Sequence, residues 1–238
     1  LEQCLMFRES LLETGEKRVL HNMETDPHWG IGKDGQGKNL LGVILEKLRE
    51  TAHTIALPRT HHTPVLQTIQ KVLILGDSML VNIKQQLEQL TNMEVEVRCC
   101  RGSHISDLVN QIHSLEDVDV VVIHCGTNDL SDGSRSAFIE EFENILCNIQ
   151  WLSKCKKIII SGIIHRLDKQ YLNTRIDSLN VYFKSVETSS ISFIDHNTTI
   201  RDLHRFLQPD GLHIRVGGLK QIATNIRLAM LGEHTNVN

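Results

Sequence analysis

The fold is decided by the stretch Lys71-Val-Leu-Ile-Leu-Gly-Asp-Ser78, a short apolar run that ends in glycine and polar residues. A run of this length is typical of a buried strand, and the glycine marks the turn after it. Four more apolar runs follow along the chain. Together they predict strands at Lys71–Gly76, Glu94–Cys100, Val118–Cys125, Lys157–Ile164 and Ile191–Ile194.

Amphipathic segments separate these runs, which indicates helices between the strands. In each segment the apolar residues recur at intervals of three and four, as on the buried face of a helix. The predicted buried faces are Ile105, Leu108, Val109, Ile112 and Leu115, then Phe138, Phe142, Ile145, Ile149 and Leu152, then Leu172, Ile176, Leu179, Phe183 and Val186, and finally Leu219, Ile222, Ile226 and Ala229. The alternation predicts an α/β fold, a flavodoxin-like three-layer domain with a five-stranded parallel sheet.

The chain divides into three parts by composition. A stretch ahead of the first strand contains two of the four prolines together with several histidines and threonines, which is typical of a linker. The fifty residues before it bury too little to form a large core alone. The predicted parts are a small, mostly helical N-terminal fragment over residues 1–50, with helices at Leu1–Glu13 and Lys38–Glu50, a linker over 51–70, and the α/β domain over 71–232.

Composition disfavours several function classes. Lysine and arginine number 25 against 29 acidic residues, so the net charge of −4 does not favour nucleic acid as a ligand. No apolar run approaches the roughly 20 residues that cross a membrane. The six cysteines form no C-x-x-C pair. We therefore expect reduced thiols, a cytoplasmic protein and no structural metal.

Polar residues follow two strands that are neighbours in the order 2-1-3-4-5 expected for this fold. Ser78 lies where the first strand passes into a predicted helix, Asn128 follows the third strand, and Gly102 follows the second. Taken singly, the serine is typical of a helix N-cap, and the other two are typical of turns. Taken together, they predict a nucleophile beside groups that can donate hydrogen bonds to an oxyanion.

A carboxylate and an imidazole lie close together after the fifth strand. Asp210 precedes His213 by three residues, so one turn can hold both, with Asp210 fixing the tautomer of a base that accepts the serine proton. Two other pairs remain as alternatives, namely Asp202 with His204 and Asp195 with His196. Residues one or two positions apart point in different directions in a strand or helical turn, which favours the first pair.

Four short blocks of the chain follow one another in a characteristic order: Gly76-Asp77-Ser78, Gly102, Gly126-Thr127-Asn128-Asp129 and Asp210-x-x-His213. In this order they resemble the SGNH (GDSL-type) hydrolases over about residues 71–231. The resemblance implies that Ser78 is the nucleophile, His213 the base and Asp210 the residue that orients it. It also implies an oxyanion hole formed by the backbone N–H groups of Ser78 and Gly102 and the side chain of Asn128.

A second resemblance lies ahead of the predicted linker. Residues 30–35 match G-x-G-x-x-G, but no apolar strand precedes them, so we exclude a dinucleotide-binding motif. Residues 11–49 instead resemble the C-terminal part of a NADAR (YbiA-like) domain. That family implies N-glycosidase chemistry on ADP-ribose or riboflavin-precursor substrates, with Asp26, Trp29 and Gly30 at its pocket. We expect this piece to be inactive here, and a plain glycine-rich turn between two helices is the alternative.

The sequence therefore predicts a serine esterase that cleaves a small acyl or acetyl ester without a cofactor. Two other classes remain open. One is a non-catalytic interaction module that keeps the sheet and uses its crevice for binding. The other is an accessory domain of a NADAR-type N-glycosidase. The oligomeric state leaves no local mark in the sequence.

Overall fold

The computed structural model describes residues 7, 10–54, 69–112, 115, 117–131, 134–153 and 155–232. The chain separates into two compact units, Leu1–Arg59 and Thr60–Asn238. We call them the N-terminal unit and the α/β unit.

The α/β unit is built on one parallel sheet. Its strands are β1 (Lys71–Gly76), β2 (Glu94–Cys99), β3 (Val120–His124), β4 (Lys157–Ser161) and β5 (Ile191–Ile194). They lie in the order β2-β1-β3-β4-β5, and every neighbouring pair is parallel. This confirms the predicted fold class and strand order. It also brings the carboxyl ends of β1 and β3 side by side, with Gly76 paired to His124.

Helices cover both faces of the sheet because the apolar strand residues alternate between them. The helices are α1 (Leu40–Thr54) in the N-terminal unit and, in the α/β unit, α2 (Lys84–Glu88), α3 (Arg135–Leu152), α4 (Asn173–Ser185), α5 (Leu203–Phe206) and α6 (Val216–Leu231). On one face Val72 and Ile74 of β1 pack in a single cluster with α2 and α6. α3 and α4 contribute the fully buried rings of Phe142 and Phe183, which lie 4.7 Å apart.

One predicted α-helix is wrong. The segment after β2 forms a 3₁₀ helix at Ile105–Gln111, in which residues three apart stand above one another. Ile105 and Leu108 accordingly share a buried face, whereas Val109, predicted to be buried, is 48% exposed. The chain after β1 differs in a similar way, because a 3₁₀ turn at Ser78–Leu80 precedes the short helix α2.

Element bounds differ by a few residues from those predicted. β3 is two residues shorter than expected at its start and one at its end, and β4 ends three residues earlier than expected, at Ser161. Helix α1 extends to Thr54, four residues into the predicted linker, and residues 55–68 lie outside the described part of the chain. Of the predicted first helix, residues 10–13 are helical, and residues 1–6, 8 and 9 are outside the described part.

Polar side chains hold the loop of the N-terminal unit to α1. Asn39, buried and with a positive φ of 51°, accepts a hydrogen bond from the His21 N–H and donates one to the Val19 carbonyl, both at 2.8 Å. From the far end of α1, the buried guanidinium of Arg49 donates to the Thr14 hydroxyl and the Lys17 carbonyl. This loop is therefore ordered by hydrogen bonds rather than by a core of its own.

Candidate active site

The candidate nucleophile lies on a tight turn at the end of β1. Asp77 is buried and caps this turn, because its Oδ1 accepts the N–H of Met79 at 2.9 Å. Ser78 follows as the first residue of the 3₁₀ turn. A side chain at Gly76 would bring a Cβ within 2.3 Å of the His124 carbonyl oxygen, so only glycine lets β1 and β3 approach here.

The candidate base faces this serine. His213 Nε2 lies 3.4 Å from Ser78 Oγ, and His213 Nδ1 lies 2.7 Å from Asp210 Oδ2. The other oxygen of Asp210 accepts the backbone N–H groups of Leu212 and His213, at 2.9 and 3.0 Å. A carboxylate opposite Nδ1 selects the tautomer that carries its proton there, which leaves the Nε2 lone pair for the serine hydroxyl. A serine-to-histidine distance of 3.4 Å is typical of a site without substrate.

The candidate base stands beside an ionised carboxylate and is open to solvent. The backbone N–H of Leu212 and the His213 ring beside it lower the pKa of Asp210, so this carboxyl group is ionised. The side chains of Asp210 and His213 are 47% and 42% exposed. The candidate site is therefore an open cleft.

Asp210 and His213 lie on a loop over residues 207–214, which we call the base loop. Its two ends are joined to each other. Leu207 and Ile214 form an antiparallel bridge, and both side chains are buried. Within the loop, the Gln208 N–H donates to the His213 carbonyl at 2.7 Å. The exposed base therefore stands on a loop whose two ends are anchored in the core.

The predicted oxyanion groups lie at the ends of β2 and β3. Gly102 has a φ of +73°, which favours glycine, and its position is exposed. The amide nitrogen of Asn128 donates to the Ser103 carbonyl at 2.9 Å, which ties it to the glycine turn. An amide nitrogen carries two hydrogens, so a second N–H of Asn128 remains to donate to a ligand.

Glycine is also required where β3 turns into the site. Gly126 has a φ of +110°, and a Cβ there would lie 2.6 Å from Ile163 Cδ1 and 3.2 Å from Phe138 Cζ. Any larger residue at this position would be strained and would clash with Ile163.

Asp129 has a structural part in this arrangement. Its Oδ1 accepts the Ile105 N–H at 3.1 Å and lies 3.3 Å from Nδ1 of His104, so it joins the turn after β3 to the turn after β2. Burial raises the pKa of this carboxyl group.

Arg166 is a residue that the sequence analysis missed. It is buried after β4, forms a two-point ion pair with Asp168 at 2.7 and 2.6 Å, and reaches the Thr127 carbonyl at 3.4 Å. The next N–H, of Leu167, donates to the Gly211 carbonyl at 2.8 Å. One short segment thus supports both the loop of Asn128 and the loop of His213. Its ion-pair partner Asp168 is two residues away, but no local pattern marks its contact with Thr127, which is 39 residues away in the sequence.

The alternative carboxylate and imidazole pairs serve other purposes. Asp202 caps the first turn of α5, and His204 is exposed. Asp195 caps the 3₁₀ turn that follows β5, and His196 is fully buried with its Nε2 bonded to Ser161 Oγ. In the described part of the chain, the imidazole that contacts the Ser78 hydroxyl is that of His213.

The residues that the NADAR resemblance places at a pocket form a turn. Asp26 Oδ1 accepts the N–H groups of His28 and Trp29, at 2.9 and 3.3 Å. Gly30 is buried, and a Cβ there would lie 2.7 Å from that of Met23. The Trp29 ring is 46% exposed. Asp26 is therefore engaged in holding the turn.

Cavity volume does not mark the candidate site. One cavity of about 960 Å³ lies along β5 between α4 and α6, and another of about 740 Å³ lies between α2 and the start of α6. Neither is lined by Ser78, Asn128 or His213. We locate the candidate site by the contacts of Ser78, His213 and Asp210, which are open to solvent and need no deep cavity. Among the described residues, no three histidine, cysteine or acidic side chains are grouped to hold a metal ion.

Similar solved structures are hydrolases. A protein from Slackia heliotrinireducens assigned as an SGNH hydrolase is 15% identical, with a TM-score of 0.57 over 68% of this chain and 100% of that one. The lipase/acylhydrolase of Enterococcus faecalis is 20% identical, with a TM-score of 0.56 over 68% and 96%. An acetyl esterase solved with acetate is 18% identical, with a TM-score of 0.56 over 68% and 97%. The chain has the SGNH-hydrolase fold.

Alongside the SGNH fold, the chain has a separate sequence similarity. Over 49 residues it is 43% identical to the N-glycosidase YbiA of Shigella boydii and to that of Escherichia coli K12. The match covers 21% of this chain and 31% of each relative, so the chain spans about a third of the length of these curated relatives. This agrees with a fragment of a NADAR domain. No family model matches the chain.

None of the helices in the described part of the chain is both long and apolar enough to span a membrane.

Proposed function

We propose that the α/β unit is a serine esterase that cleaves a small acyl or acetyl ester. The observation that carries this proposal is the continuous line of contacts from Ser78 Oγ through His213 to Asp210. A serine hydroxyl is a weak nucleophile alone, and an adjacent oriented base is what activates it. The acetyl esterase and acylhydrolase among the structures of the same fold support the substrate class.

In the proposed reaction, Ser78 Oγ attacks the ester carbonyl while His213 Nε2 accepts the hydroxyl proton. The charge that develops on the carbonyl oxygen is stabilised by the N–H groups of Ser78 and Gly102 and the amide of Asn128. His213 then gives its proton to the leaving alcohol, and Asp210 stabilises the imidazolium throughout. Water repeats the steps on the acyl-serine, which releases the acid and restores Ser78.

We also propose the domain division and the cellular setting. The hydrolase domain corresponds to residues 71–232, the NADAR-like fragment to 1–50 and the linker to 51–70. A cytoplasmic location is supported by the spacing of the six cysteines in the sequence, which contain no C-x-x-C pair. A small-molecule ester is the proposed partner.

No glycosidase chemistry is assigned to the N-terminal unit. The Asp26 carboxylate accepts hydrogen bonds from its own turn, and the chain matches only 31% of each glycosidase relative. A non-catalytic module is the competing class for the α/β unit, and it differs in one chemical property, the reactivity of Ser78.

A fluorophosphonate probe tests this difference, because it labels a serine that a base activates and does not need a known substrate. We expect one probe molecule per chain on Ser78, and no labelling of Ser78→Ala. Peptide mapping would identify the labelled residue. Failure of the folded chain to react would support the binding module instead.

A further inference from the structure

A line of buried polar side chains crosses the core behind the candidate nucleophile. His124 Nδ1 lies 3.0 Å from Ser161 Oγ and 3.1 Å from the Ser161 carbonyl oxygen. Ser161 Oγ lies 2.8 Å from His196 Nε2, and His196 Nδ1 lies 3.0 Å from the Asn225 amide nitrogen. All four residues are almost fully buried. Bulk water does not reach them, so each hydrogen needs a partner inside the protein.

Asn225 of α6 determines which atom donates and which accepts in each of these hydrogen bonds. Asn225 Oδ1 accepts from Gln221 at 3.1 Å, so the amide nitrogen is the atom that faces His196 Nδ1. An amide nitrogen only donates, and Nδ1 is therefore the acceptor. Burial, with a smaller effect of nearby His124, lowers the pKa of His196 to about 3, so the ring is neutral. Its one proton is on Nε2 and is donated to Ser161 Oγ.

The hydrogen bond between Ser161 and His124 has the same direction, with Ser161 as the donor. Its oxygen already accepts from His196, and its own proton has the His124 Nδ1 lone pair as an acceptor at 3.0 Å. With the opposite His124 tautomer, Nδ1–H would donate to the Ser161 carbonyl, and the serine proton would lack an acceptor among the described residues. Burial lowers the pKa of His124, so this ring is also neutral. Its remaining proton is on Nε2.

Asp77, which caps the Ser78 turn, acts electrostatically on the ring that carries this proton. The Asp77 N–H donates to the His124 carbonyl at 3.1 Å. Asp77 Oδ2 and His124 Nε2 are both buried and have no partner within the described part of the chain. A buried carboxylate oxygen and a buried N–H cost free energy if left unpaired, and one internal water molecule can join them.

We propose that His124 is a positioning residue for Ser78. Its Nε2–H, oriented by Ser161, His196 and Asn225, holds Oδ2 of Asp77 through one buried water molecule, and Asp77 holds the turn that presents the serine hydroxyl. The kinetic part of this inference rests on the proposed esterase function. The inferred tautomer of His124 does not depend on that function.

Two matched variants of His124 distinguish a role in positioning Asp77 from a role in packing of the core. In His124→Gln the side-chain amide can reach the place of Nε2 and keep a donor toward Asp77. In His124→Asn the shorter amide reaches the place of Nδ1 and keeps the Ser161 contact only. We expect His124→Asn to lower kcat for p-nitrophenyl acetate by about ten- to a hundredfold at unchanged KM, since a hydrogen bond to a charged group is lost. His124→Gln should stay near the parent. An equal loss in both variants would overturn the proposal.

Nitrogen NMR of the unmodified chain tests the tautomer directly. At neutral pH we expect the His124 proton on Nε2, with its signal assigned by its disappearance in either variant or by through-bond correlation. A proton on Nδ1 would refute the inference even if both variants fail to fold. If the chain neither hydrolyses esters nor reacts with the fluorophosphonate probe, the proposed function fails, and this spectrum still decides the hydrogen-bond direction.

Discussion

The N-terminal unit and the α/β unit differ in what holds them together. Among the described residues of the N-terminal unit, Leu11 is the one apolar side chain that is buried, while Val43, Ile44 and Leu48 of α1 are largely exposed. Hydrogen bonds of Asn39 and similar residues order its loop. In the α/β unit, strands and helices bury apolar residues on both faces of the sheet. In its described residues, the N-terminal unit, whose sequence resembles a NADAR domain, thus has little buried apolar surface, whereas the α/β unit has both a core and a candidate site. Sequence similarity and structural self-sufficiency are separate properties.

If activity belongs to the unit with the core, loss of Ser78 should have the largest effect. Ser78→Ala is expected to lower turnover of p-nitrophenyl acetate by about 10⁶, because triad residues act together. Its thermal unfolding should stay close to that of the parent, because Asp77 rather than Ser78 caps the turn and the substitution removes only a half-buried hydroxyl group. Substantial turnover by the purified variant would assign the activity elsewhere in the chain.

The base loop provides the next test. Asp210→Asn should keep the fold and lower kcat by about 10⁴, as loss of the tautomer-fixing acceptor does in a serine protease. His204→Gln is the matched control and should be nearly silent, since His204 is exposed on α5. The reverse pattern in steady-state kinetics would show that the Asp202 and His204 pair had been wrongly set aside.

Asn128→Ala should have a smaller effect that is confined to catalysis. An oxyanion donor acts on charge present only in the transition state, so kcat should fall by about 10² to 10³ while KM changes little. Separate measurement of kcat and KM decides this. A rise in KM alone would make Asn128 a residue that binds the ground state.

A pH-dependent change in stability should come from Asp168. Its hydrogen bond and ion pair with Arg166 lower its pKa in the folded chain below the unfolded value of about 3.9. The stability it contributes is therefore present above about pH 4 and is lost as pH falls through the folded pKa. In urea unfolding, Asp168→Asn should be less stable than the parent at pH 7, and the difference should shrink near pH 3. A difference that does not depend on pH would point to packing.

Removal of the N-terminal unit should have the smallest effect. A chain that starts at residue 67 should keep its fold and its kcat/KM, because the residues of the core cluster and the candidate site all belong to the α/β unit. Circular dichroism and steady-state kinetics would compare it with the full chain. An insoluble or inactive product would show that the two units depend on one another.

The parts of the structure that could be predicted from sequence are those with local causes. The apolar run of β1 and the three-residue spacing of Asp210 and His213 are of this kind, and the structure contains both. The exposure of Val109 could not be predicted, because apolar residues three and four apart indicate an α-helix, and nothing local marks this segment as a 3₁₀ helix. His124 was missed because its side-chain partner Ser161 lies far away in the sequence. The contact of Arg166 with the Thr127 carbonyl is equally distant, and neither residue type signals burial.

The bridged base loop has a consequence for how the protein responds to heat. Opening it requires Leu207 and Ile214 to leave the core, so the Gln208 amide should exchange its hydrogen about as slowly as amides of the central strands. Although the candidate pair Asp210 and His213 is exposed to solvent, its geometry is then coupled to cooperative unfolding rather than to local fraying. Heating should leave the active geometry intact until the whole α/β unit melts.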